Sequence, residues 1–217
     1  MCERSQFNRT RRNLSALIDQ IFIEVAKQFE DEVFIADSFP LEVCKFGRAH
    51  FCKTFKDCGA TYAKNASKKQ TYFGYKVHVL TTCDGAIKAF EITGANVDDR
   101  YALYDLSLVV KSGSVIVGDK GYISKPLENA LKDQGQILLA LKRSNAREPH
   151  PQDLQRLIFK TRRRIETTFS QLTEQFNAER VLAKSFAGLC VRLLTTFLAF
   201  NLCVFLSQSS HIKSLIF

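Results

Sequence analysis

SVIVGDKGY, residues 114–122, is the stretch whose reading decides the fold. Val115 to Gly118 are apolar or small, and the run stops abruptly on Asp119, Lys120, Gly121 and Tyr122. This pattern predicts a buried strand that delivers a carboxylate at its carboxyl end, where ligands bind in open sheets of mixed strand and helix. A plain buried strand followed by a polar turn has the same appearance. The meaning of Asp119 therefore depends on whether it has partners elsewhere in the chain.

Two other stretches offer acids in a comparable setting. VFIADSFP, residues 33–40, is a second apolar run carrying an acid. Alternation places Val33, Ile35 and Asp37 on one face, and Pro40 is expected to end the strand. From Asp153 the pattern is helical for more than twenty residues, with Ile158, Ile165, Phe169, Leu172 and Phe176 as its apolar stripe. Glu166 falls about 100° round from Ile165. Arg162 lies four residues earlier on the same side, within the basic run Lys160, Arg162, Arg163 and Arg164.

The intervening chain supplies the rest of a sheet. Thr71 to Thr82 alternates as a strand, Asp84-Gly85 is a hairpin signal, and Ala86 to Thr93 is the return strand. Lys76 and His78 share a face of the first of these strands and could reach a phosphate, although a lone histidine on a strand is commonly structural. Asn96, Asp98 and Asp99 precede a helix over residues 100–110, and both aspartates read as caps for it. Pro126 opens a helix that ends near Gly135, and QILLAL, residues 136–141, is a buried strand. Residues 142–152 read as a polar link. The apolar run from Leu189 to Leu206 has the length of a membrane span, but Arg192 and Asn201 interrupt it. It reads as a packed core helix, with no membrane as partner. At the other end, Leu14, Leu17, Ile21, Val25 and Phe29 mark an amphipathic helix behind the basic patch Arg9, Arg11 and Arg12.

The fold class expected is therefore α/β: three antiparallel strands, then alternating helix and strand, in a mixed sheet flanked by helices. Three segments are expected, namely a helical region 1–30, a central domain 31–180 and a carboxyl-terminal packing helix 181–217.

Composition narrows the partner. The 217 residues suffice for a sizeable core, and 46% hydrophobic content argues against a disordered chain. The net charge of +9, from 31 basic against 22 acidic residues, favours a polyanion, nucleic acid first. Residues 41–70 concentrate this charge in Lys45, Arg48, Lys53, Lys56, Lys64, Lys68 and Lys69, interleaved with Phe46, Phe51, Phe55 and Tyr62. That mixture suits phosphate contact and base stacking, a solvated loop with anchoring rings being the plainer alternative. Seven cysteines, an odd number, behind a polar and charged N-terminus indicate a reducing cytoplasmic compartment. Cys44, His50, Cys52 and Cys58 cluster but contain no C-x2-C pair, which argues against zinc.

Asp37, Asp119 and Glu166 can meet if the first and fourth strands are neighbours and the long helix packs across them. Three carboxylates suit a hard divalent cation, Mg2+ or Mn2+. Two such ions about 3.5–4 Å apart can assist in-line phosphoryl transfer. Arg162 and its basic neighbours could then hold substrate phosphate.

The sequence resembles the DDE-type transposases of bacterial insertion sequences, in particular the family of insertion sequence 982. The residues that carry the resemblance are DEVFIADSFPLEVCK, YFGYKVHVLTTCDG, GANVDDR, VGDKGY and RRRIETTFSQL, and it extends from Gln6-Phe7-Asn8 to Ala199–Leu202. It implies an RNase H-like catalytic domain over residues 31–180 in which Asp37, Asp119 and Glu166 bind two metal ions. It also implies DNA as substrate, an oligomer assembled on DNA, end cleavage, and then attack by the freed 3′-hydroxyl on a target. Lys76, His78, Lys120, Arg162, Arg163 and Arg164 are the DNA contacts expected. A related signature, Y-x2-R-x3-E-x6-K, is matched by Arg162 and Glu166, with Phe159 and Thr173 in the Tyr and Lys places. The resemblance also implies a preceding helical segment, of which residues 1–30 would be the tail. A nuclease that does not join DNA, and a DNA-binding remnant without catalysis, are the rival expectations.

Overall fold

A computed structural model describes residues 3–65, 69–142 and 148–209. Cys2, Lys68 and part of the 142–152 link fall outside them. The strands are β1 (Val33–Cys44), β2 (Thr61–Asn65), β3 (Gln70–Thr82), β4 (Ile87–Gly94), β5 (Val115–Gly118) and β6 (Ile137–Ala140). The helices are α1 (Arg4–Asn13), α2 (Ser15–Lys27), α3 (Lys53–Lys56), α4 (Asp99–Ser107), α5 (Lys125–Asp133), α6 (Gln152–Glu174) and α7 (Phe186–Ser209), with short 3-10 turns at Phe46–Phe51 and Lys120–Tyr122.

Together the strands form one mixed sheet in the order β2-β3-β1-β5-β6, with β4 beside the other half of β3. β3 is antiparallel to β1, β2 and β4, whereas β5 runs parallel to β1 and to β6. This is the expected α/β architecture, and β1 and β5 are neighbours, the condition for Asp37 and Asp119 to approach each other. Two details differ. Residues 61–65 form a strand inside the basic stretch 41–70, for which the sequence suggests no strand. β1 also continues through Pro40 to Cys44, so Asp37 lies within a strand and not at its tip. The reason is the length of β3, which stays paired with β1 from Phe34–Thr82 to Cys44–Phe73. On its other side β1 has a partner only from Val33 to Ile35. Beyond that point β1 is an edge, where a strand tolerates proline.

The sheet divides the core into two main clusters. On one face Phe39, Leu41, Val77, Val79 and Ile87 pack against Leu172 of α6, Phe22 of α2 and Leu189, Leu193, Phe197 and Phe200 of α7. On the other, Phe34, Ala36, Leu80 and Ile116 pack against Leu103 and Leu106 of α4 and Leu127 and Leu131 of α5. α7 has the length and hydropathy of a membrane span; its Leu189, Leu193, Phe197 and Phe200 pack into the first cluster, whereas Leu202, Phe205 and Leu206 are exposed. Its interrupting Asn201 is fully buried and brackets one backbone unit of β4. Its Oδ1 accepts the Ile87 N–H at 2.8 Å, and its Nδ2 donates to the Ile87 carbonyl at 2.8 Å.

Asn201→Leu removes both bonds and leaves two buried backbone groups unsatisfied. The expected loss is about 3 kcal/mol, read as a lower urea midpoint with an unchanged m-value.

Candidate active site

The site forms where two parallel strands separate. Val33, Phe34 and Ile35 of β1 pair with Val115, Ile116 and Val117 of β5. After Gly118 the chain turns into the 3-10 turn, and a crevice opens beyond Ile35. Such a crevice at the carboxyl ends of parallel strands is the usual ligand position in open sheets.

Asp119 enters this crevice in a fixed conformation. Its Oδ1 accepts the Gly121 N–H at 2.7 Å, so it caps the turn that follows. The two glycines of the stretch are required by close packing. A Cβ on Gly118 would stand 2.7 Å from the Tyr122 ring, and one on Gly121 would stand 2.9 Å from the Asp119 carboxylate. Tyr122 is buried among Phe34, Leu103 and Leu127, which anchors the turn. Burial, with the negative charges of Asp99, Asp37 and Asp119 nearby, holds its phenol well above the ordinary value.

Asp37 faces α6. Its Oδ1 accepts the Ser38 N–H at 2.9 Å, and its Oδ2 accepts from Arg162 Nη2 at 3.1 Å. Arg162 Nη1 is also 3.3 Å from Glu166 Oε1, so one guanidinium bridges two carboxylates. The Asp37 and Arg162 side chains are only 17% and 22% exposed, against 53% for Glu166. Burial raises the Asp37 pKa, and the charge of Asp119 adds to this, while Arg162 and the Ser38 N–H act in the other direction. Arg162 Nε is buried without a hydrogen-bond partner, so the guanidinium retains an unused donor.

α6 is fixed in register by contacts that residues neighbouring Arg162 and Glu166 make with the β3–β4 turn. Arg164 Nη1 donates to the Cys83 carbonyl at 2.9 Å, and Thr168 Oγ1 donates to the Gly85 carbonyl at 3.3 Å. The β3–β4 turn therefore carries the helix that presents Arg162 and Glu166. On the outer side, Lys160, Arg163, Arg164, Glu166 and Ser170 line a shallow basin of about 610 Å³.

The three acids offer carboxylate oxygens, the donor type a hard cation takes. A positive group already stands between Asp37 and Glu166, and Asp119 is close enough to disfavour ionisation of Asp37. With the guanidinium in place the carboxylates are spaced for it, and among the described residues no three His, Cys, Asp or Glu side chains are grouped to hold a metal together. Arg162 fills the space between Asp37 and Glu166 in this structure.

The other expected DNA contacts divide. Lys120 and Arg163 are exposed. Arg164 is exposed but engaged with Cys83. His78, expected to reach a phosphate, is 1% exposed, with Nδ1 3.1 Å from Asp99 Oδ1 and Nε2 2.8 Å from Thr93 Oγ1. Lys76 donates to the Val97 carbonyl at 2.9 Å and lies 3.4 Å from Asp99 Oδ2. Asp98 caps α4 as expected, its side chain accepting the Arg100 N–H. Asp99 does not act as the cap. It accepts from Ser38 Oγ at 2.7 Å and stands against His78 and Lys76. Burial alone would raise its pKa, but those three partners hold it down at about 2. One signal in the sequence pointed here: a helix start needs one capping acid, and this one has two.

The site thus combines a mixed sheet, a crevice between parted parallel strands and an acid-bearing helix across it. The chain belongs to the family described as Transposase DDE domain, whose model matches residues 27–185. Comparison with curated proteins gives no match. Among solved structures the fold is similar to that of a piggyBac transposase, seen by cryo-EM in a synaptic complex with hairpin DNA, with a TM-score of 0.58 and 13% identity. The alignment covers 98% of this chain and 56% of that one, so the present chain spans little more than half of that protein. DDE transposases act on DNA and generally use divalent metal.

Asp37 and Asp99 should have opposite pH signatures. Asp99, at about 2 when folded, contributes stability above pH about 4 that is lost as pH falls towards 2. Asp99→Asn is expected to cost on the order of 2 kcal/mol at pH 7, the difference shrinking over that window. Asp37 has a raised pKa, so ionising it costs folding free energy at neutral pH. Asp37→Asn should therefore raise Tm at neutral pH, and the gain should vanish once acid protonates Asp37. Thermal unfolding of both variants from pH 2 to pH 8 checks the two signs.

Proposed function

We propose that this chain is the catalytic domain of an insertion-sequence transposase, of the kind resembling insertion sequence 982. It would cut DNA at the element's ends and join the freed 3′-hydroxyl to target DNA. The observation that carries this reading is the Asp37–Arg162–Glu166 bridge beside Asp119, in the crevice where β1 and β5 part. Residues 31–180 would be the catalytic unit, with α1, α2 and α7 packed on it. The setting would be the bacterial cytoplasm, with copies of the chain assembled on nucleoid DNA.

Asp37, Asp119 and Glu166 would hold Mg2+, with Mn2+ as an alternative and two ions as the expected number. Divalent cations so held supply charge stabilisation at the scissile phosphate and lower the pKa of an attacking hydroxyl. The residues themselves do the remaining work. Asp37, fixed by the Ser38 N–H, keeps one oxygen pointed at α6. Asp119, fixed by the Gly121 N–H, keeps its second oxygen free of that bond. Arg162 leaves the carboxylates and presents its fork to a phosphate, including the Nε–H that has no partner in the bridge. Water and then the 3′-hydroxyl are the nucleophiles, so no side-chain nucleophile is required.

DNA would follow the outer face of α6, where Lys160 and Arg163 line the basin beside Glu166, and pass Lys120. Phe46, Phe51 and Tyr62 are exposed among the bases of residues 41–65, and suit contact with unpaired bases. Phe55 is buried and serves the core.

The test uses DNA with pre-cut element ends, a target plasmid and Mg2+. Joined products are expected. Asp119→Ala should lower joining by at least about 10³-fold while changing DNA affinity less than about threefold. Affinity should fall about tenfold or more between 50 and 200 mM salt. Nicked products without joining would identify a nuclease. Equal cellular effect of wild type and Asp119→Ala would identify a binding protein without catalysis.

A further inference from the structure

We infer that Asp99 is a positioning residue for Asp37, acting through Ser38 from the opposite face of the sheet. This rests on the reading of Asp37 as a cation ligand. Alternation along β1 sends Ile35, Asp37 and Phe39 towards α6, and Phe34, Ala36 and Ser38 towards α4. The last parallel pair of β1 is Ile35 with Val117. At Asp37 the strand is therefore laddered only on its β3 side, and the residue that must be placed most accurately sits on an open edge.

Asp99 supplies the missing restraint. Its Oδ1 accepts from Ser38 Oγ at 2.7 Å and lies 3.1 Å from His78 Nδ1, while its Oδ2 lies 3.4 Å from Lys76 Nζ. Ser38 stands opposite His78, and Pro40 opposite Lys76, in the β1–β3 register. One carboxylate at the start of α4 therefore grips β1 and β3 together. The hold reaches Asp37 by one further step, because the Ser38 backbone N–H donates to Asp37 Oδ1 at 2.9 Å. Rotation or displacement at Ser38 moves the carboxylate that faces Arg162.

The partners of Asp99 are themselves fixed. His78 Nε2 lies 2.8 Å from Thr93 Oγ1 on β4, and Lys76 donates to the Val97 carbonyl. The α4 terminus is capped separately by Asp98, which leaves Asp99 free for this role. The GANVDDR motif thus has a division of labour: its first aspartate ends the loop, and its second braces the catalytic strand. Carboxylates that orient a metal ligand from outside its coordination sphere change affinity by about 10- to 100-fold when lost.

The experiment is Mn2+ binding to the purified chain without DNA, followed by the electron paramagnetic resonance signal of the free ion. Ser38→Ala keeps the contacts of Asp99 with His78 and Lys76 and cuts only its link to β1. It is expected to weaken Mn2+ binding by about tenfold or more, and Ser38→Thr, which restores the hydroxyl, should return it to within about threefold. Leu106→Ala, a core truncation on the same helix, should lower Tm more than Ser38→Ala and leave Mn2+ affinity unchanged. Wild-type affinity in Ser38→Ala would overturn the inference, as would equal weakening in Leu106→Ala. If Asp37→Asn binds Mn2+ as tightly as wild type, Asp37 is not a ligand, and the proposed function falls together with the inference.

Discussion

Everything in this site depends on how briefly β1 and β5 run together. Three paired positions hold them parallel, and then Asp119 turns away while β1 continues on its antiparallel partner β3. Buried backbone must find hydrogen bonds, and here β3 satisfies one side of β1 and leaves the other open. That open side is the crevice. It exposes the acids to a ligand without dismantling the sheet.

Acids drawn into a crevice repel one another and lose solvation. The structure answers this with Arg162, placed one helical turn before Glu166 and within 3.1 Å of Asp37. The bridge needs α6 at one register, which the β3–β4 turn enforces through Arg164 and Thr168. Stability here is subordinate to readiness. Asp37 remains disfavoured as an anion in spite of its arginine, the kind of strain that functional sites retain. The opposite face of the same strand shows the reverse economy, since Asp99 with three partners is a comfortable anion.

Much of this was legible in the residues. Apolar runs marked β1, β3, β5 and β6, a two-residue hairpin signal marked β4, and a 3.6-residue stripe marked α6, because each element buries one face against the core. β2 escaped notice because Thr61–Asn65 lies at the end of the sheet with neither face fully buried, and so carries no strong alternation. The tip expected at Pro40 was wrong because proline punctuates only where its absent N–H would be needed, and that depends on neighbours not visible in one strand. His78 looked like a phosphate contact because a strand pattern does not say which face is covered. α4 covers it.

The sequence by itself determined the mixed α/β class and the candidate acids Asp37, Asp119 and Glu166, since periodicity and an abrupt acid after an apolar run are local properties of the chain. Tertiary structure alone decided that Arg162 stands between two of those acids, that His78 is buried, and that Asp98 and Asp99 have different tasks. The physical reason is that charge pairing and burial depend on distance through space. Residue 99 reaches residue 38, and residue 162 reaches residue 37, only after the sheet has formed and helices have covered both its faces.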